Sequence, residues 1–270
     1  MRLSYGMKTP RRKIELHKIN KITNTGFQAT WLKNPDGYTQ GPRWSLAACG
    51  KGCRRSPGCD ICMAIAEQLF AEQNGIPLKP VAPRPENLFH PLRWKKRKNA
   101  FVCPEGDLLH KNIPDDFVRD VFGVIRETPQ HHYVMTTKWP EHLCLLKEFE
   151  DITNAFVGVS IESQEYMYRA DALLELPNNF YKILFLAPMI TPMDLAKRVL
   201  AGVDWFIISP ERGGEGRAPR PCPEEWLVDL IKQIRAFDHN IPIFLDVPFV
   251  KERVDRMGGK FMEVPSALME

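Results

Sequence analysis

The chain has 270 residues, a net charge of +4, 44% hydrophobic residues and 26% charged residues, which is the composition of an ordinary globular protein. The mild positive charge favours an anionic partner only weakly and excludes the extreme charge of a nucleic-acid coat protein. No segment approaches the roughly 18 apolar residues of a transmembrane helix, and the first residues lack the apolar stretch of a signal peptide. We therefore expect a cytoplasmic protein.

Residues 1–42 are polar, basic and punctuated by turn-forming residues, and we interpret them as an N-terminal extension. Beyond them, short apolar runs alternate with amphipathic stretches of helical period. The runs predict strands over Arg43–Cys49, Asn99–Cys103, His132–Thr136, Ala155–Ser160, Lys182–Leu186, Trp205–Ser209 and Ile241–Asp246. The sequence signals are strongest for two helices. One begins at about Pro114, and the other spans Glu224–Phe237. Residues 251–270 are interpreted as a C-terminal tail.

Strands that alternate with helices predict an α/β fold with parallel strands and βαβ crossovers. About seven strands and six helices over residues 43–250 suit a partial (β/α)6–7 barrel, and a doubly wound sheet is the alternative. In both folds ligands bind at the carboxyl ends of strands, so the residues after each strand are the candidates for function. The segment Gly75–Lys98 breaks the alternation with five prolines and a basic run, and we predict a long loop that crosses the barrel rim.

Four of the seven cysteines, Cys49, Cys53, Cys59 and Cys62, lie in one short segment with the spacing C-x3-C-x5-C-x2-C. In a reducing compartment such clustering indicates metal or redox chemistry rather than disulfides. Cys59 and Cys62 are close enough to bind one metal centre, and Cys53 can supply a third thiolate. Three ligands on a four-iron cluster leave one iron open to a chelating molecule, whereas four thiolates including Cys49 would suit a closed zinc site.

Several sequence blocks follow the strands in a recognisable order. They are Gly52-Cys53, Ser56–Cys62, Pro91–Lys96, Asp107-Leu108 with His110, Pro114–Phe117, Thr137–Glu141, Gly158–Gln164, Ser209–Glu211 and Gly216–Pro221. In this order the blocks resemble a phage and bacterial family of three-cysteine radical S-adenosylmethionine (SAM) proteins that is distantly similar to spore photoproduct lyase. The resemblance implies a partial TIM-type barrel, and SAM bound at the open iron of a [4Fe-4S] cluster. It also implies an external electron donor of the flavodoxin type.

The resemblance also implies roles for single residues. Cys53, Cys59 and Cys62 would hold the cluster, with Cys49 near enough to replace Cys53.

Asp107, with Glu105 nearby, would meet the methionine ammonium of SAM, and Ser160 and Glu162 would bind its ribose hydroxyls. Glu211 would contact SAM or the substrate. Each has a structural alternative, because an Asp before a helix is often an N-cap, Ser160 can be an ordinary strand-end residue, and Glu162 can face solvent.

Departures from the family pattern lie at the strand ends that would face the substrate. An acidic block on the fifth strand is reduced to Ala187-Pro188, a Gly-Gly-Glu-Ser block becomes Ser209–Arg212, and a lysine after the last strand is replaced by Asp246. These changes predict altered substrate chemistry with the cofactor half retained.

A polynucleotide substrate is suggested by basic residues that enclose an aromatic ring, because phosphates pair with Lys and Arg and a base can stack on the ring. The candidate contacts are Arg93, Trp94, Lys95 and Lys96, with Arg212, Arg217 and Arg220 as a second, phosphate-binding rim. The alternative is a solvated charged loop with a buried tryptophan. A target base would have to be flipped or unpaired to enter a barrel mouth.

The substrate hypothesis is a hypermodified thymine in phage DNA, on which the enzyme acts as a radical isomerase that rearranges a glycyl adduct. Glu211, Asp246 and nearby arginines would grip the glycyl group. One alternative is repair of a thymine lesion, with Cys103, Cys144 or Tyr133 as the hydrogen donor. The other is a non-enzymatic zinc or iron–sulfur module that binds nucleic acid.

Overall fold

The computed structural model of the protein describes residue 32 and residues 41–51, 53, 55–60, 62, 71–211, 218–246 and 263–268. The predicted N-terminal extension and C-terminal tail lie largely outside these residues, so both stay predictions. None of the described helices has the length and apolar character needed to cross a bilayer.

A single parallel sheet forms the centre of the molecule. Its strands are β1 (Arg43–Trp44), β2 (Asn99–Val102), β3 (His132–Thr137), β4 (Ala155–Ser160), β5 (Tyr181–Met189), β6 (Trp205–Pro210) and β7 (Ile243–Leu245). The seven strands lie side by side in sequence order, and every neighbouring pair is parallel. A doubly wound sheet reverses its strand order, so this alternative is excluded. The described part of the sheet is open, with β1 and β7 at its edges.

Four α-helices are described, α1 (Asp115–Glu127), α2 (Tyr168–Leu174), α3 (Lys197–Gly202) and α4 (Glu224–Phe237). The bounds of α4 are those predicted, and α1 begins one residue after Pro114, which is its N-cap. Short 3-10 helices add turns at Pro57–Cys59, Pro85–Asn87, Pro91–Arg93, Pro140–Glu148, Gln164–Tyr166 and Ser266–Leu268.

The helices form because each presents an apolar stripe to one face of the sheet. In α1, Phe117, Val118, Val121 and Phe122 are buried at the spacing of a helix face. Strand β4 is buried along its whole length, as expected for a central parallel strand that is covered on both faces. The predicted α/β class with parallel strands is confirmed.

The long segment before β2 runs from the carboxyl ends of the strands to their amino ends, which we call the carboxyl edge and the amino edge of the sheet. Its proline-rich part lies beside the residues that follow β1, because Pro83 pairs with Ala47 and the Arg84 N–H donates to the Leu46 carbonyl over 2.7 Å. The segment then enters β2 at the amino edge, where the Lys98 N–H donates to His131 Nδ1 over 3.2 Å. The basic run therefore lies at the amino edge, on the side of the sheet opposite the cysteine loop.

Candidate functional site

The cysteine loop, residues 49–62, begins beyond the carboxyl end of β1. A 3-10 turn over Pro57–Cys59 follows Ser56, whose carbonyl accepts the Cys59 N–H over 2.9 Å. The next turn brings the Cys62 N–H within 3.2 Å of the Cys59 carbonyl. These consecutive turns explain why a spacing of three residues places Cys59 and Cys62 close together.

The loop crosses the carboxyl edge of the sheet and reaches residues that follow distant strands. Ser56 Oγ donates to Glu162 Oε1 over 2.5 Å, just beyond β4, and the Pro57 carbonyl accepts a hydrogen bond from Arg220, which lies beyond β6. Arg55 stacks over the Trp139 ring at 3.9 Å, beyond β3. Adjacent loop residues therefore contact groups that follow β4 and β6, so these strand ends converge on the loop.

The four thiols of the loop share one electrostatic environment. Cys59 is buried, Cys49 and Cys53 are half-buried and Cys62 is exposed. A hydrogen bond between Cys49 and Cys53 raises the pKa of Cys49 and lowers that of Cys53, and the charges of Cys59 and Cys62 also act on Cys49.

The donor set fits a thiolate-bound iron–sulfur cluster, since thiolates are the ligands of such clusters. A mononuclear zinc site needs four ligand atoms within about 2.3 Å of one ion. All seven cysteines belong to the described part of the chain, and in this part no three Cys, His, Asp or Glu side chains are grouped to hold a metal ion. This finding applies alike to a zinc site and to three cluster ligands, so the fit to a cluster rests on thiolate chemistry alone.

A buried group of charged side chains that follow β3 and β4 contacts the loop. The Lys138 ammonium pairs with Glu162 Oε1 and lies 3.1 Å from Ser56 Oγ and 3.5 Å from Cys59 Sγ. Arg169 Nη1 donates to the other oxygen of Glu162 over 3.0 Å, and the Glu162 side chain is 0% exposed. Burial opposes the charge of Lys138, but the Glu162 carboxylate together with the charges of Cys59 and Cys62 raises the pKa of Lys138.

Asp107 lies beyond β2 and accepts hydrogen bonds from three groups of the chain. Its carboxylate accepts from Thr137 Oγ1 at 2.8 Å, from the Lys138 N–H at 2.8 Å and from the Leu109 N–H at 3.0 Å. Burial raises the pKa of Asp107 to about 6 despite these hydrogen bonds. The contact to Leu109, two residues on, is that of a local Asx turn. Asp107 is not the N-cap of α1, which begins at Asp115 after Pro114. The cofactor role stays a prediction.

Glu105 and Ser160 also lie at the carboxyl edge. Glu105 pairs with Arg43 over 3.1 Å and accepts the Ser45 hydroxyl over 2.6 Å. The Ser160 hydroxyl, at the end of β4, donates to the Ala187 carbonyl over 3.0 Å.

Glu211 lies beyond β6 and is paired with Arg220. Its carboxylate accepts the Arg220 N–H over 2.7 Å and Arg220 Nε over 2.8 Å. Burial opposes ionisation of Glu211, but the hydrogen bonds from Arg220 lower its pKa.

Cys103 and Asp246, the other predicted catalytic residues, follow β2 and β7. Cys103 is buried with a φ of 50°, and burial raises its pKa to about 12. The Asp246 N–H donates to the Ile208 carbonyl over 2.8 Å. The structure thus places every described catalytic and cofactor candidate at the carboxyl edge.

The predicted DNA contacts are not at this edge. Arg93, Lys95 and Lys96 are exposed, and Trp94 packs on Tyr133 and His131, with ring centroids at 6.4 and 5.2 Å. The ring is therefore part of the packing around the amino edge. Arg212 and Arg217 lie outside the described residues.

Sequence reasoning gave no role to Lys138 and Arg169, and it assigned Arg220 to a phosphate-binding rim. Lys138 belongs to the Thr137–Glu141 block, and its position directly after β3 was the available signal. Its pairing with Glu162, 24 residues away, has no signal in the sequence.

Residues 46–247 match the profile of a family described as "Protein of unknown function (DUF5131)". A search of curated proteins found no match to the chain.

Two solved structures of spore photoproduct lyase are similar to the fold. One is a double mutant with bound AdoMet and dinucleoside spore photoproduct, and the other is complexed with dinucleoside spore photoproduct. Each is 11% identical, with a TM-score of 0.45 over 74% of this chain and 73% of the other.

Proposed function

Because the chain belongs to the DUF5131 family, whose description names no activity, we propose a function from its site: it is a radical SAM enzyme with a [4Fe-4S] cluster on Cys53, Cys59 and Cys62. One observation carries the proposal. The cysteine loop lies across the carboxyl edge of an α/β sheet, the edge at which such folds bind ligands, and buried charged side chains support it there.

The residues around Cys59 suit a cluster ligand. Lys138 Nζ lies 3.5 Å from Cys59 Sγ and can donate a hydrogen bond to a thiolate. The Ser56 hydroxyl lies 3.8 Å from the same sulfur, but it donates its one proton to Glu162. Hydrogen bonds to ligand sulfurs are one of the means by which proteins set the reduction potential of a cluster. With SAM bound, the cluster would supply a 5′-deoxyadenosyl radical that abstracts a substrate hydrogen.

The side chains around the loop would divide the work of binding and orientation. Ser160 donates to Ala187 and keeps acceptor capacity for a ribose hydroxyl. Asp107 and Glu105 would meet an ammonium group through the remaining lone pairs of carboxylates whose oxygens already accept hydrogen bonds or an ion pair from the chain. Glu162 has both carboxylate oxygens engaged, by Ser56, Lys138 and Arg169. We therefore assign Glu162 the role of orienting Lys138 and Ser56. Glu162 could bind a ribose hydroxyl of SAM only if it released one of these partners or Arg169.

The test is anaerobic reconstitution followed by addition of SAM and dithionite. We expect about four irons and four sulfides per chain, and formation of 5′-deoxyadenosine. Cys59→Ala should lose both, whereas Cys144→Ala, which removes an exposed cysteine outside the loop, should lose neither. A single zinc in place of iron, or no deoxyadenosine from the loaded protein, would contradict the proposal and favour the non-enzymatic metal module.

For the substrate we propose a modified nucleobase in DNA, and a radical isomerisation of a glycyl adduct of thymine. Asp246, beyond β7, can pair with the amino group of the adduct, and Arg212 and Arg217 with its carboxylate. The check is mass spectrometry of glycyl-thymine DNA after incubation with loaded enzyme and SAM. Unchanged DNA alongside formation of deoxyadenosine would reject this substrate and leave the enzyme class intact.

Lesion repair is the second candidate because Cys103 is a buried thiol at the carboxyl end of β2. The other two proposed hydrogen donors are less suitably placed, since the Tyr133 hydroxyl bonds to Thr128 Oγ1 over 2.7 Å and Cys144 is exposed. The same assay with a thymine-dimer lesion separates the two substrates. Repair that Cys103→Ala abolishes, with deoxyadenosine still formed, would favour the second candidate.

A further inference from the structure

Arg220 connects the end of β6 to the cysteine loop. Its Nη2 donates to the Pro57 carbonyl over 2.9 Å and also to Glu211 Oε1, and its Nε donates to both Glu211 oxygens at 2.8 and 2.9 Å. The two ends of this contact are 163 residues apart in the sequence. One guanidinium therefore joins a strand end to the backbone of the turn that precedes Cys59.

The geometry uses a property that arginine has and lysine lacks. A guanidinium is a planar fork with several donors, so it can hold a carboxylate with one set of N–H groups and a carbonyl with another. The Glu211 side chain is only 1% exposed, and a carboxylate buried to this degree needs a charged partner. Glu211 therefore fixes the orientation of Arg220, and Arg220 fixes Pro57.

The same turn is held from its other side by the contacts from β4 and β5. A Cβ placed on Gly58 would lie 2.6 Å from Glu162 Cγ and 3.0 Å from Pro188 Cδ, so the loop backbone packs directly on these residues. Ser56 is bonded to Glu162 at one end of the turn, and Pro57 to Arg220 next to it. The turn is thus fixed between two charged groups that belong to different strand ends.

We propose that Glu211 and Arg220, together called the clasp, are positioning residues that hold the cysteine loop across the carboxyl edge whether or not metal is bound. The inference rests on the proposed function only in taking the loop to be the cluster-binding segment. It reassigns both residues, since Glu211 was expected to contact SAM or substrate and Arg220 to bind phosphate. With its fork committed to Glu211 and Pro57, Arg220 serves the loop.

The test follows hydrogen exchange of the loop amides in the reconstituted protein and after removal of metal by a chelator. The reporter amides are those of Cys59 and Asp60, which donate to the Ser56 and Pro57 carbonyls. We expect Arg220→Gln to raise their exchange rates about tenfold in both states, as for loss of a charge-assisted hydrogen bond. Arg119→Gln is the matched control, because Arg119 on α1 makes exposed ion pairs with Asp116 and Glu148 and has no contact with the loop among those described.

Two further variants separate positioning from general instability. Arg220→Lys keeps the charge beside Glu211 but cannot make both contacts, so the loop amides should exchange at an intermediate rate. Glu211→Gln keeps the size of the side chain and loosens Arg220, and it should raise loop exchange less than Arg220→Gln does. Exchange of the β4 amides is the internal reference and should stay unchanged in all variants that fold.

The second readout is the electron paramagnetic resonance spectrum of the reduced cluster, which reports the geometry and hydrogen bonding of its ligands. Arg220→Gln should change the spectrum and Arg220→Lys should partly restore it. Loop exchange equal to that of the unsubstituted protein in Arg220→Gln would overturn the clasp. A protein that takes up no iron but shows the predicted exchange pattern would instead reject the proposed function and retain the clasp.

Discussion

At the carboxyl edge of the sheet the charged residues are buried and paired with one another beneath the cysteine loop, whereas at the amino edge the basic run Arg93–Lys98 is largely exposed. Glu162 has no solvent contact and is held by Lys138 and Arg169. Lys95 and Lys96 are open to solvent. A buried charge is tolerated only when it is paired and hydrogen-bonded. The positions of the paired charges at the carboxyl edge are therefore fixed by specific contacts, unlike those of the exposed lysines.

The comparison also separates two kinds of functional signal. At the amino edge the signal is net charge, which acts at long range and requires no fixed geometry. At the carboxyl edge the signal is a set of specific contacts around thiols. Variants that remove one kind of signal and leave the other intact can test whether the two edges have independent roles.

The largest effect is expected for Glu162→Gln at the carboxyl edge. The substitution keeps the side-chain size but leaves Lys138 and Arg169 without their carboxylate, and breaking a buried ion pair in this way costs about 3–5 kcal/mol of unfolding free energy. Urea denaturation of metal-free protein measures it. Glu148→Gln removes a carboxylate from an exposed pair with Arg119 and should leave the midpoint nearly unchanged. Equal midpoints for both variants would mean that the buried group contributes no more than a surface pair.

A pH dependence of similar size is expected from Asp107. Its folded-state pKa of about 6 lies above the unfolded value of 3.8, so ionisation opposes folding. The protonated Asp107 carboxyl therefore contributes to the free energy of unfolding in full below about pH 4, and this contribution is lost as the pH rises to about 6. The difference of about 2.2 pKa units corresponds to about 3 kcal/mol. Asp107→Asn should remove this slope, so the variant gains relative to the unsubstituted protein between pH 4 and pH 6.

The measurement is urea denaturation at pH 4, 5, 6 and 7 in the presence of a chelator. Asp116→Asn, at an exposed position in the first turn of α1, is the control and should keep the slope. A slope that survives in Asp107→Asn would assign the pH dependence to another group.

The fold was predictable from the sequence because strands and helices have local signals. The bounds of β4 and α4 are those predicted, and the other strands differ by a few residues. The exception is β1, predicted over Arg43–Cys49, which ends at Trp44. Beyond it Ala47 pairs with Pro83 in an isolated bridge, and a contact with a proline-rich segment 36 residues away has no local signal.

The site was predictable only in part. That residues after strands would share one edge followed from the parallel sheet. The sequence could not show which of these residues pair. The contacts of Lys138 with Glu162 and of Arg220 with Pro57 join segments that only the tertiary fold brings together. The position of Arg93–Lys98 at the amino edge, by contrast, follows from the sequence, because the run directly precedes the strand predicted from Asn99.

A pair of glycines offers a sharper test of the close packing at the carboxyl edge. Gly58→Ala would place a Cβ 2.6 Å from Glu162 Cγ, whose position is fixed by its ion pairs, and overpacking of this kind costs about 1–3 kcal/mol. Gly123→Ala in α1 meets nothing within 4 Å and should stabilise by about 1 kcal/mol, because alanine favours the helix. The opposite signs, measured by urea denaturation, are the prediction. Stabilisation by Gly58→Ala would show that the loop does not pack on Glu162.

The smallest effect on stability is expected at the amino edge, from the triple variant Arg93→Ala, Lys95→Ala and Lys96→Ala. These side chains are exposed, so their removal should leave the urea midpoint, iron content and deoxyadenosine formation without DNA unchanged. If the run binds phosphates, DNA affinity should fall and its dependence on salt should become shallower, by about one unit of slope per lost contact. Fluorescence anisotropy at several salt concentrations measures both quantities.

A second triple variant controls for the change in net charge, namely Arg119→Ala, Arg126→Ala and Lys147→Ala, which removes three exposed cations that are paired with carboxylates. If both variants weaken DNA binding equally, the amino edge acts through net charge alone. If only the first changes the salt slope, the edge opposite the cysteine loop binds the DNA backbone. A base that reaches the loop would then belong to a nucleic acid that extends over both edges, which requires a longer substrate than a dinucleotide. Comparing short and long oligonucleotides in the same assay tests that requirement, because only the long ones should lose affinity in the first variant.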